Sequence, residues 1–191
     1  MAVDHASSKA ASMNASDPDT HSLIRAIAED TRRILEQLDA ESHEAAIAVR
    51  ETFNGQPCVF PQNWCQYASC VLGLRVARVL RRGDIDFCEW NGDGAFESHF
   101  WLRFDGYDID ITADQFGAAL PPVLVETNFK AHEERFPAPS VRPLLARRTC
   151  RESFERAVLE LDLAVHNHAR AVDRDIAIDR HLRSCEGASH E

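Results

Sequence analysis

Apolar residues along the chain follow two different periods, and the change from one to the other divides the sequence into regions. In LIRAIAEDTRRILEQL the apolar positions are 23, 24, 27, 34, 35 and 38, the stripe of one helical face. A second, shorter helix is expected over AESHEAAIAVRETF, ended by Asn54-Gly55. QPCVFPQN, with two prolines, reads as a loop. The helical period returns in WCQYASCVLGLRVARVLRR through Ala68, Val71, Leu72, Val76, Val79 and Leu80. Asn63 with Gln66 three residues on makes a capping-box pattern at its start, and Gly83 is the expected stop.

The period then drops to two. DIDFCEWN alternates and NGDG turns the chain. SHFWLRF and YDIDIT flank Asp105-Gly106, a signal for a tight hairpin. PPVLVETN reads as one more strand and PAPSVRP as a connector. Thr149 opens a long helix with Glu152 as its capping partner, running to about Leu182. Helical and strand segments are segregated, so the expected class is α+β rather than a doubly wound parallel sheet. Residues 1–20, rich in Ser, Ala and Asp, read as a disordered leader, and 21–185 as a single domain.

Composition narrows the function classes. The 191 residues carry 21 Lys+Arg against 31 Asp+Glu, a net charge of −10. That balance argues against a nucleic-acid binder or an anionic membrane surface, because both draw on clustered cations. No run approaches the roughly 20 apolar residues of a spanning helix. The leader lacks the apolar core of a Sec signal peptide, so the expected location is the cytoplasm, or outside it by another export route. Six cysteines, at 58, 65, 70, 88, 150 and 185, are too few and too scattered for a disulfide scaffold.

One cysteine stands apart. Cys65 falls in the first turn of its helix, where unpaired N–H groups favour an anion and a lowered thiol pKa. His99 opens the next-but-one strand. A two-residue Asp105-Gly106 turn pairs Phe104 with Tyr107, which sets His99 across from Thr112 and Asp110 on the diagonal of the same face. Imidazole Nδ1–H to carboxylate is then a feasible bond. Phe100, Leu102, Phe104, Ile109 and Ile111 share the opposite, packing face. A solvated polar face is the competing reading of the His99 row. Cysteine, histidine and aspartate in that order supply nucleophile, base and orienter. No metal or cofactor site is expected, since no second close cysteine pair follows Cys65 and Cys70, and His166 and His168 point to different helix faces. Trp101, on the face of His99, and Trp64 are candidates for substrate contact.

At FPQNWCQYAS, SHFWLRFDGYDIDIT and ADQF, about positions 59–116, the chain resembles the papain-fold cysteine enzymes of the transglutaminase-like branch. The resemblance implies a nucleophile helix packed on an antiparallel sheet with flanking N- and C-terminal helices. It implies Cys65 as nucleophile, His99 as general base and Asp110 as orienter, with Gln62 as a candidate oxyanion donor beside the Cys65 N–H. The expected activity is thioester chemistry at an amide carbonyl of a protein or peptide: glutamine deamidation, proteolysis or transglutamination, in a bacterial effector or toxin. The alternative is a non-catalytic binding module that uses its long C-terminal helix. Oligomeric state is left open.

Overall fold

The structure, a computed structural model, describes residues 18–53, 58–92, 97–117, 120–127, 130–144 and 152–187, and side chains as far as 172 in the last of these segments. The expected leader up to residue 17, the Asn54-Gly55 stop, part of the NGDG turn, Thr149 and Cys150 lie outside them.

The chain is α+β. Helices α1 (Pro18–Ala40), α2 (Glu44–Glu51) and α3 (Cys65–Leu80) precede strands β1 (Asp86–Asn91), β2 (Ser98–Phe104) and β3 (Tyr107–Asp110). A 3-10 turn, Ala113–Phe116, leads to β4 (Leu124–Glu126), α4 (Lys130–Arg135), β5 (Ser140–Pro143) and α5 (Glu152–Gly187). The five strands form one antiparallel sheet in the order β4-β3-β2-β1-β5. None of the described helices is long and apolar enough to cross a membrane.

Most of the sequence-level elements are in place, and the differences have local causes. PAPSVRP was expected only to connect, yet Ser140–Pro143 pairs with β1 as an edge strand. An edge tolerates proline, and Pro143 stands at the very end of the strand. Helix α3 starts one residue after Trp64, its N-cap, which makes no side-chain cap bond. The N-cap is thus Trp64 rather than the expected Asn63, which takes a left-handed conformation, φ 66°. The helix ends at left-handed Arg81, before Gly83 is reached.

Sheet pleating sends alternate side chains to opposite faces. Phe100, Leu102, Phe104, Ile109 and Ile111 join Ala68, Val71, Leu72 and Val76 of α3 in the main core. Helix α3 lies close on the sheet at Gly73, where an added Cβ would run into methyl groups of Leu144 and Leu102. The opposite face is not solvated. Cys88, Trp101 and Phe136 form a second small core there, with Trp90 and Phe116 packed against it.

Arg32 joins α1 to the segment after β3. Its guanidinium grips both carboxylate oxygens of Asp114 at 2.7 and 2.8 Å. It also donates to the carbonyls of Ile111 and Pro122, each at 2.8 Å, and to Glu36. This side chain is almost fully buried, so removing it leaves Asp114 and two carbonyls without their donor. Arg32→Ala is expected to cost about 3 kcal/mol of stability, read as a lower urea midpoint at unchanged slope. A loss below about 1 kcal/mol would mean that the clamp holds nothing that solvent cannot replace.

Candidate active site

The hairpin has the register expected from its turn. Leu102, Arg103 and Phe104 pair with Ile109, Asp108 and Tyr107. Asp105 and Gly106 both have positive φ, 51° and 82°, as a tight two-residue turn requires. His99 and Asp110 therefore meet on one face, and the contact is direct. His99 Nε2 lies 2.6 Å from Asp110 Oδ2, with both side chains fully buried. The nitrogen engaged is Nε2, not the expected Nδ1.

Asp110 is held from four sides. Its other oxygen, Oδ1, accepts the Thr112 backbone N–H at 2.8 Å and the Thr112 hydroxyl at 3.1 Å. A second imidazole completes the set: His132 Nε2, on α4, is 3.0 Å from Oδ2. Burial pushes the carboxyl up, but its interactions with His99 and His132 outweigh it and hold Asp110 well below the ordinary carboxylate range. With both Nε2 atoms donating to the anion, the neutral form of the His99 ring carries its lone pair on Nδ1. That atom faces Gln115 Nε2 at 3.3 Å. Around the cluster stand Trp101 stacked on His99 at 5.6 Å, Phe116 edge-on at 4.6 Å and Phe136 at 4.5 Å.

Cys65 approaches from the other layer at the start of α3, and among the described residues it makes no hydrogen bond to His99. Beyond Asp110 the chain leaves β3 for the 3-10 turn, and the start of α3 docks on the backbone of β2. Ser69 Oγ donates to the Phe100 carbonyl at 3.0 Å, and the Phe100 N–H bonds to the Cys65 sulfur. The Gln115 side chain bonds to the same sulfur, so one amide joins the thiol to His99. The loop before Cys65 is pinned by Asp39, which accepts the Phe60 N–H at 3.2 Å and pairs with Arg50 at 2.7 Å.

Several expectations are corrected. Cys65 is not a low-pKa thiol. Burial pushes it up, Asp110's charge adds to that, and bonds from Gln115, Phe100 and Gln66 oppose them, leaving it at about 12. Cys58 and Cys88 are pushed up by burial as well, to about 11 and 12. Trp64 and Trp101 are both fully buried, Trp101 stacked on His99 and Trp64 packed against Phe60, so neither side chain faces solvent. Gln62 is exposed, and its carbonyl accepts from Cys58 at 3.9 Å. Beside the site, Asp108 is buried and forked onto Arg103 at 2.8 and 3.1 Å.

His99, Asp110 and His132 also have the donor set of a metal site, with ligand atoms within 4.8 Å of one another. Ligands about 2.0–2.1 Å from one ion in tetrahedral array stand more than 3 Å apart. The 2.6 Å separation of His99 from Asp110 is the spacing of a shared proton instead. His132 and Gln115 had no assigned role in the sequence reading. His132 sits on a six-residue helix that gives no periodic signal, and Gln115 lies within ADQF, just past the aspartate.

The ionised Asp110 gives a test by acid titration. Its pKa is lower folded than unfolded, where it returns to about 3.9. As pH falls from about 5, the unfolded chain takes up this proton first, so Asp110's stabilisation is full above that range and lost towards the folded pKa. Asp110→Asn should therefore flatten the fall in unfolding free energy between pH 5 and 3 by at most about 1.4 kcal/mol per pH unit, measured by denaturant melts. An unchanged slope would show that the folded carboxyl is not held ionised.

No protein-family model, no curated protein and no solved structure matches the chain.

Proposed function

We propose that this is a thiol enzyme of papain-like, transglutaminase-like type, in which Cys65 attacks an amide carbonyl of a protein or peptide, with His99 as base and Asp110 as orienter. One observation carries the reading: Asp110 occupies His99 Nε2, which leaves Nδ1 on the side of the Gln115 amide that also bonds to the Cys65 thiol. A structural histidine needs no such asymmetry. The α3 start docked on an antiparallel sheet, with His and Asp on adjacent strands, supports the same type of fold.

With a pKa near 12, Cys65 rests as the neutral thiol at pH 7. The nucleophile is then made during attack, by transfer of the thiol proton to His99, rather than stored as an ion pair. Asp110 keeps Nε2–H in place and steadies the imidazolium that forms. Collapse of the tetrahedral intermediate gives a thioester and expels the amine, which takes the proton from His99. Water then makes the enzyme a hydrolase, a deamidase where ammonia left; an amine acceptor makes it a transglutaminase.

p-Nitrophenyl acetate tests this without knowledge of the natural substrate. Acetylation should map by mass spectrometry to Cys65, and Cys65→Ser should abolish the thioester adduct. His99→Ala should slow acetylation at pH 7 by roughly 10²–10⁴-fold. Asp110→Asn should slow it with the circular dichroism spectrum retained. Acetylation spread over Cys58, Cys70 and Cys88 and indifferent to His99→Ala would end the reading.

A further inference from the structure

We propose that Gln115 is the oxyanion donor of this site and, before substrate arrives, a latch on its base; the inference rests on the thiol-enzyme reading above. The amide nitrogen carries two hydrogens and has no lone pair to offer. Its two contacts are therefore donations, one to His99 Nδ1 at 3.3 Å and one to the Cys65 sulfur. An oxygen growing on a carbonyl attacked by that sulfur lies within the sweep of the same N–H groups, which is the geometric requirement of an oxyanion hole. Gln62 is exposed on the loop before α3 and has no such contact with His99 among the bonds of that ring.

The placement of Gln115 is built into the fold. Its residue is the third of the 3-10 turn, with its N–H on the Thr112 carbonyl at 3.2 Å. The preceding residue, Asp114, is the one Arg32 grips with two bonds. The backbone is thus fixed while the side chain is only half-buried, whereas His99, Asp110 and Cys65 are buried. Gln115 is the member of the group that solvent, and hence a substrate carbonyl, reaches.

The latch follows from counting lone pairs. While Nε2–H serves Asp110, Nδ1 has a single lone pair, and the Gln115 amide occupies it. A proton from Cys65 needs that same lone pair. A substrate carbonyl that draws the amide hydrogen away frees Nδ1, and the 3.3 Å bond between neutral partners is weak enough to exchange. The sulfur then bonds to the carbonyl carbon, its proton passes to Nδ1, and the carbonyl π pair becomes an oxyanion held by Gln115 Nε2–H. When the pair returns, the carbon–nitrogen bond breaks and the amine leaves with the proton from Nδ1.

Two reagents read the two roles with opposite signs. Iodoacetamide alkylates sulfur, with iodide as leaving group, and forms no oxyanion. p-Nitrophenyl acetate acylates sulfur through one. Gln115→Met keeps the length of the side chain and removes both donors; Gln115→Ala, at this half-exposed turn position, is the second variant if the first does not fold. Either removes one weak donor from the sulfur but frees Nδ1 for its proton, so Cys65 alkylation should rise several-fold while acetylation falls by roughly 10²–10³-fold. Both rates unchanged, or both moving the same way, would overturn the assignment of Gln115 while His99-dependent acetylation of the wild-type chain left the thiol-enzyme reading standing. A wild-type Cys65 that reacts no faster than Cys70, and without regard to His99→Ala, would overturn both.

Discussion

A carboxylate with no exposed surface has to find its solvation inside the protein, and Asp110 finds it in two imidazole N–H groups, one hydroxyl and one backbone N–H. Each donor comes from a different demand on the chain. His99 is there because the hairpin register puts it there, and Thr112 because the chain turns out of β3 at that point. His132 requires α4 to cross the outer face of the sheet. Take the anion away and three segments lose the group that holds them to one another. Burying an ion is costly, and it is tolerable only when its hydrogen bonds are complete, as they are here.

Strands β2 and β3 are consequently buried on both faces, but by different chemistry. Towards α3 the packing is aliphatic and aromatic, of the kind any α+β domain uses. On the other side rings do the covering: Trp101, Phe136 and Phe116 surround His99 without offering it a competing acceptor. A ring so enclosed keeps its hydrogen bonds free of water exchange, and it is turned only by its polar neighbours. Arg103 and Asp108 answer the same problem nearer the turn, as a forked pair.

Much of this was legible in the sequence because period and turn chemistry act locally. The Asp105-Gly106 pair gave the turn, the turn gave the register, and the register joined His99 to Asp110. What was not legible is long in range or short in extent. A thiol at a helix start reads as activated from its neighbours in sequence, yet its burial is set by residues from β2 and the 3-10 turn, and burial wins. Alternating polar residues left a solvated face as the competing reading, because the helix that covers them is six residues long and carries no amphipathic stripe. The edge strand Ser140–Pro143 was hidden by its prolines, which elsewhere would forbid it.

The two-residue turn has one more consequence, and it concerns which changes of length the chain can survive. Side chains in a strand alternate with a period of two, so adding a single residue at the tip inverts one strand relative to the other. Ile109 and Ile111 would then stand among the rings and Asp110 would enter the aliphatic core, unless a bulge absorbed the extra residue. An insertion of two restores the alternation and leaves His99 facing a carboxylate row. Loop tips generally tolerate length variation freely, but this one obeys a parity rule. Odd insertions here strike the buried charge itself.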